Sequence, residues 1–150
     1  VSAEPETSRF AQHVGHASEP LKLTVERGHI KRFAEAIGET NPIYFDDAAA
    51  RRAGHPCIVA PPTFAIALRP NDARAGITID WRKLLHGEQE LTFARALRAG
   101  DELTLVQRIV AADVKTTKSG VMDVMVLETH ASDASGDLVF SARATVLVRR

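Results

Sequence analysis

Between Gly38 and Asp46 the chain reads Gly-Glu-Thr-Asn-Pro-Ile-Tyr-Phe-Asp, the densest run of chemically capable side chains in its 150 residues. Glu39 offers a carboxylate, Asn41 an amide and Tyr44 a phenol, all on a stretch that Asn41-Pro42 keeps out of helix. A carboxylate and a proton-bearing partner five positions apart on an irregular loop can converge on one substrate atom. Acid/base transfer needs such groups within about 2.6–3.2 Å of the proton they move. The plainer alternative is a turn shaped by Asn41-Pro42, with Glu39 solvated.

His86 is a second candidate, followed by Gly87, Glu88 and Gln89 at the mouth of a long strand pattern. It is read as a structural hydrogen-bonder, or as a group that positions substrate or stabilises a pairing of two such units. Arg69, Arg74, Arg82, Lys83, Arg95 and Arg98 are bases that could meet phosphates at a tunnel mouth, or simply form a solvated face. The remaining histidines have no metal-ligand spacing with Cys57 or with paired carboxylates, so no metal is expected. The serines lack a Gly-x-Ser-x-Gly context, and no glycine-rich phosphate loop is present, which disfavours hydrolase and nucleotide-binding readings.

These residues must be held by a definite set of elements. Residues 1–18 lack a clear period and read as an N-terminal extension or one weak helical turn; residues 19–150 read as one domain. Leu21, Leu23 and Val25 alternate with polar residues as a strand, and Ile30, Phe33, Ala34 and Ile37 recur at helical spacing. Gly38 is placed to end that helix. From Asp46 to Gly54, acids at the start, bases at the end and a closing Gly describe a two-turn helix. Pro61 to Pro70 reads as a third helix, apolar on every side, with Phe64, Ile66 and Leu68 all expected in the core. From Gly87 the period falls to two, giving four long strands separated by turn chemistry at 97–101, 115–120 and 132–137. A buried helix followed by enough antiparallel strand to wrap it predicts an α+β domain of hot-dog type.

Composition narrows the function classes. Nineteen Lys and Arg balance nineteen Asp and Glu, so there is no electrostatic case for nucleic acid or an anionic membrane. No apolar run approaches the roughly 18 residues of a spanning helix. One Cys excludes an intrachain disulfide, and a reducing cytoplasm fits best.

Three motifs in order carry a family resemblance: Ala36-Ile37-Gly38-Glu39-Thr40-Asn41-Pro42-Ile43-Tyr44, then Leu84-Leu85-His86-Gly87-Glu88-Gln89, then Leu97-Arg98-Ala99-Gly100-Asp101. From Leu21 to Val148 the chain resembles the MaoC-like dehydratase/hydratase family, most closely its N-terminal, FAS1-like dehydratase subgroup. The resemblance implies paired hot-dog units, no cofactor, and (R)-specific hydration of enoyl thioesters or dehydration of 3-hydroxyacyl thioesters. The carrier it implies is CoA or acyl-carrier protein. It places the family's catalytic Asp at Glu39 and its catalytic His at Tyr44, while Asn41 and Pro42 match. A carboxylate moved by one methylene and a phenol with an ordinary pKa of about 10 are weaker equipment than the usual pair. At the buried helix the family's Ala-His-Gly pattern supplies a Gly N–H to the thioester carbonyl, whereas this chain reads Ala60-Pro61-Pro62-Thr63 and Pro62 has no N–H. The N–H of Thr63 or of Phe64 is left as the substitute donor.

Two readings follow. One is a hydratase or dehydratase in which Glu39 and Tyr44, with His86 as a helper, act as an altered catalytic set, and Asn41, Pro62, Thr63, Phe64, Arg95 and Arg98 meet the substrate. The other is a non-catalytic acyl-thioester-binding subunit that pairs, as a heterodimer, with a hot-dog chain carrying the intact Asp and His. The first reading pairs two copies of this chain. A sensor of acyl thioesters is a third, lesser possibility.

Overall fold

The period-two patterns form a single antiparallel sheet, described here from a computed structural model covering residues 6–150. Its strands are β1 (Leu21–Thr24), β2 (Leu84–Phe93), β3 (Glu102–Thr117), β4 (Gly120–Ser132) and β5 (Leu138–Arg149). They lie in the order β1-β3-β4-β5-β2. The last three strands make the expected meander, and β2 crosses over to pair with β5 at the far edge. Its outer side is therefore unpaired among the described residues, which leaves ten residues of free edge.

The turns form for local reasons. Thr117 pairs with Gly120, so β3 and β4 are joined by a two-residue loop, and Gly120 supplies the positive φ of +121° that it requires. Asp133 Oδ1 accepts from the N–H groups of Ser135 and Asp137, closing the β4–β5 turn. Helices α1 (Arg27–Ala36) and α2 (Asp47–Arg52) match their sequence signatures. Gly38 ends the first at φ +77°, and Asp46 caps the second by accepting from Ala49 N–H at 3.0 Å.

Two apolar clusters cover the concave face. The first joins α1 through Ile30, the 58–68 segment through Ile58, Phe64 and Leu68, and the sheet through Leu105, Ala131 and Phe140. The second gathers Phe10, Ala73 and Ile79 over Ile109, Met125, Leu127, Val146 and Val148.

Two expectations are corrected. The third helix is a six-residue 3₁₀ segment, Pro62–Ala67, and it is not buried on every side: Phe64 and Leu68 are buried, but Ile66 is half exposed. With three residues per turn, Thr63 and Ile66 eclipse on the outer face while Ala65 and Leu68 eclipse on the inner one. The sheet therefore wraps α1 and this short segment together rather than one long helix.

The N-terminal stretch, in contrast, is no idle extension where it is described. It makes the weak turn expected, at Ala11–His13, and Ala17 bridges to Arg108. Phe10 is buried in the second cluster. Asp123, wholly buried on β4, accepts from Arg9 Nε at 2.6 Å and from Arg150 Nη2 at 3.0 Å, fastening both ends of the chain to the sheet. Burial alone would raise the Asp123 carboxyl. The hydrogen bonds from Arg150 and Arg9 outweigh it and hold the group far below the usual carboxylate range. Residues 1–5 of the predicted extension lie outside the described residues.

Candidate functional site

The 39–46 loop is built by successive caps. Helix α1 ends as Glu39 N–H donates to Ala34 carbonyl at 2.9 Å; Asn41 Oδ1 then accepts from Ile43 N–H at 3.2 Å, opening a 3₁₀ turn over Pro42–Tyr44. Asn41 is thus committed to shaping the loop, as the turn reading holds. Val59 N–H donates to Ile43 carbonyl, which ties the loop to the strand-like segment leading into the 3₁₀ segment. Asp47 reinforces the tie: its Oδ1 accepts from Arg27 Nη1 at 2.9 Å and from Ile58 N–H at 3.0 Å.

Glu39 and Tyr44 are neighbours across this loop, both half-buried. Burial raises the Tyr44 phenol above its ordinary value, and the Glu39 carboxylate raises it further. Both effects disfavour the phenolate. A group already poor at taking a proton near neutrality is made poorer, and its remaining capacity is to donate a hydrogen bond from its O–H.

At the 3₁₀ segment the donor question is decided by one hydrogen bond. Phe64 N–H donates to Pro61 carbonyl at 2.9 Å, and Pro62 has no N–H. Of the two substitutes, Thr63 is the one whose N–H is not used in this way, and its residue is exposed. Phe64 is a core residue: its ring meets His29 edge-on at 4.7 Å between centroids and Phe33 at 5.4 Å. It positions the segment from beneath. A lone His on a helix carries no motif, so spacing marks His29 only as a histidine without metal-ligand partners and does not reveal this packing.

The predicted bases separate. Arg95 forms two parallel bonds to buried Asp101, Nη1 to Oδ2 at 2.9 Å and Nη2 to Oδ1 at 3.0 Å. Asp101 also accepts from Arg98 N–H at 2.9 Å. Arg95 is therefore tied up in holding the 97–101 turn, while Arg98, with its Nε 3.5 Å from Asp101, keeps a half-exposed guanidinium. Arg74 is clasped by Asp72 and lies 4.9 Å from the Trp81 ring; Arg82 pairs with Asp80. Arg69 is exposed next to the 3₁₀ segment.

His86 does not join this group within the chain. It is exposed on β2 opposite Val146, over the second cluster, whereas the 39–46 loop is tied through Val59 to the segment that carries Ile58 and Ala60 of the first. From His86 to Leu91, where β2 first reaches that cluster, is roughly 17 Å at 3.3 Å per residue. A β-bulge separates His86 from Glu88. Gly87 makes room there: a Cβ would sit 2.8 Å from Leu147 Cδ1, the movable end of a side chain, and a tight 3.3 Å from the Thr145 carbonyl oxygen. Among the described residues no cluster of His, Cys, Asp and Glu could hold a metal ion.

An antiparallel sheet curved over a helix and a short 3₁₀ segment, with a polar loop after the helix, defines a hot-dog protein of MaoC-like type. The chain matches the model of the FAS1-like, dehydratase domain region over residues 12–142 and belongs to that family. A UPF0336 protein of Leifsonia xyli is 39% identical over 132 residues, covering 83% of this chain and 85% of the relative. Among solved structures, a chain of the ChsH1-ChsH2 complex from Mycobacterium tuberculosis superposes with TM-score 0.75 at 26% identity, over 93% of this chain and 86% of that one. A chain of the C-terminally truncated HadBC (3R-hydroxyacyl-ACP dehydratase) complex from the same organism gives TM-score 0.75 at 25% identity, over 89% and 96%.

Proposed function

We propose that the chain is the acyl-thioester-binding subunit of a two-chain (R)-enoyl-thioester hydratase or 3-hydroxyacyl-thioester dehydratase, and that a hot-dog partner supplies the acid/base pair. The observation that carries this reading is made at Tyr44, which the family resemblance sets at the catalytic His: both its burial and the Glu39 charge oppose the loss of its proton. The commitment of Phe64 N–H to Pro61 removes one of the two substitute carbonyl donors and weakens catalysis by the chain alone still further.

The free β2 edge is where a partner sheet can continue this one. The similarity to chains solved within two-component complexes supports a partner of different sequence. Thr63 N–H, Arg98 and Arg69 are the groups left available for a thioester and its phosphate-bearing carrier.

The test is crotonyl-CoA hydration, followed as loss of the enoyl absorbance. The purified chain is expected to show no turnover above background while still binding the thioester. Purification from native extract is expected to bring down a second small hot-dog chain that restores turnover. Brisk hydration by the chain alone would establish the homodimeric hydratase reading instead.

A further inference from the structure

The concave face carries an interruption that a core of this kind does not need. Successive rungs run across β3, β4, β5 and β2. The first is Leu105, Ala131, Phe140 and Phe93, large and apolar apart from Ala131; the second is Gln107, Thr129, Ala142 and Leu91. The first cluster reaches into this second rung through Ala142 and Leu91, and the other cluster begins beyond it at Ile109 and Leu127. An amide, a hydroxyl and a methyl therefore occupy this rung on β3, β4 and β5, where the neighbouring rungs bring Leu105, Ala131 and Phe140 on one side and Ile109, Leu127 and Ala144 on the other.

A cleft of about 120 Å³ lies over this rung. Its roof is Ala65, Ile66 and Leu68 of the 3₁₀ segment and its end, and its floor includes Gln107, Thr129 and Ala142. Ile66, half exposed, marks the mouth, and Thr129, buried, marks the interior. The mouth is three residues, about 6 Å of 3₁₀ rise, from the Thr63 N–H.

Gln89 also lines the cleft, from β2, and its Nε2 donates to the Glu90 and Arg143 carbonyls at 3.3 Å each, while Gln107 and Thr129 are held in place deeper in the sheet. Gln107 Oε1 accepts from Ala73 N–H at 3.1 Å, and its Nε2 donates to Thr129 Oγ1 at 3.4 Å. Gln107 backbone is pinned as well, its N–H donating to Ser18 Oγ and its carbonyl accepting from Ser18 N–H. The amide therefore cannot swing aside without releasing the 70–74 segment that roofs the second cluster.

We infer that the Gln107–Thr129 pair is the stop that sets acyl-chain length in this chain, admitting a tail of about six carbons or fewer. The inference rests on the acyl-binding reading above and adds the chemical limit on what binds. A cavity of about 150 Å³ takes a benzene molecule, so a cleft of the present size fills at or below six carbons. A longer tail has to press against a fixed amide and hydroxyl, stripping them of their partners.

The experiment measures affinities of butyryl-, hexanoyl-, octanoyl- and decanoyl-CoA for the purified chain by titration calorimetry. Each buried methylene contributes about fourfold in affinity. Hexanoyl-CoA is expected to bind about 15-fold tighter than butyryl-CoA, and octanoyl- and decanoyl-CoA within threefold of hexanoyl-CoA. Gln107→Ala and Thr129→Ala are expected to let octanoyl-CoA gain at least tenfold over hexanoyl-CoA. Ala142→Leu, which touches no hydrogen bond and fills the same cleft, is expected to bring hexanoyl-CoA down to the butyryl-CoA level, and it tests the stop even if Gln107→Ala does not fold. Affinity that climbs through decanoyl-CoA in the unaltered chain, or a break that none of the folded variants moves, overturns the stop and leaves acyl binding standing. Failure of every acyl-CoA to bind overturns the acyl-binding reading and the stop with it.

Discussion

Replacing Phe64 and Ile66 separately by alanine tests how the 3₁₀ segment is seated, because adjacent apolar residues on one short element are expected to behave in opposite ways. Phe64 is wholly buried and meets two rings edge-on, while Ile66 keeps 51% of its surface in water. A buried aromatic removes roughly 150–250 Å² from water, most of it ring. At about 25 cal/mol/Å², losing that ring forfeits about 3 kcal/mol before any cavity remains, and Phe→Ala substitutions in cores cost about 3–5 kcal/mol in total. Ile66→Ala gives up half as much surface or less and opens no closed cavity, so about 1 kcal/mol or less is expected. With a urea m-value of about 2 kcal/mol/M, the unfolding midpoint should fall by about 2 M for Phe64→Ala and by under about 0.5 M for Ile66→Ala. Equal losses at the two positions would restore the helix buried on all sides and refute the 3₁₀ seating. A loss under about 1 kcal/mol at Phe64 would refute its place in the core.

Asp123→Ala is expected to cost about 3 kcal/mol, since it strands two guanidinium groups whose shared carboxylate is buried, and to release the N-terminal segment to proteolysis. Because the native carboxyl is depressed below its unfolded value of about 3.9, its contribution is complete above that value and is lost as pH falls further. Stability measured from pH 6 down to pH 2 should therefore fall, and Asp123→Asn should flatten the profile. Tyr44→His with Glu39→Asp should give little crotonyl-CoA hydration, and adding Pro62→Gly should give more than either step, read as kcat in the enoyl absorbance assay. His86→Ala should change stability by less than about 0.5 kcal/mol, because the side chain is exposed on a free strand edge. Sedimentation at micromolar concentration should show at least a dimer; a clean monomer unable to bind any partner would count against the role given to β2.

The sequence by itself determined what depends on local spacing. Alternation of apolar residues decided the strands, because side chains point to opposite faces at each step, and Gly120 and Asp133 mark turns whose chemistry is contained within a few residues. Helix α2 was legible for the same reason: Asp46, the terminal bases and Gly54 satisfy or complement the ends of one element. The loop motif around Asn41-Pro42 could be read, and with it the departures at Glu39, Tyr44 and Pro62.

Tertiary structure decided what depends on partners far along the chain. Strand order placed β2 beyond β5 and left its edge free, which alternation alone cannot specify. Asp123 meets Arg9 across 114 positions, so no window of sequence reveals the clamp. The inner position of Ile66 was lost to a 3₁₀ period that only packing against Phe33, His29 and the sheet selects. Arg95 proved to be bound to Asp101, and His86 to lie over the other cluster, because charge and residue type do not say which neighbours a fold supplies. Gln107 and Thr129 occupy inward positions of ordinary alternating strands. Their polarity became meaningful once register set them side by side beneath the 3₁₀ segment, where a hydrogen-bonded pair in an apolar face bounds a cleft.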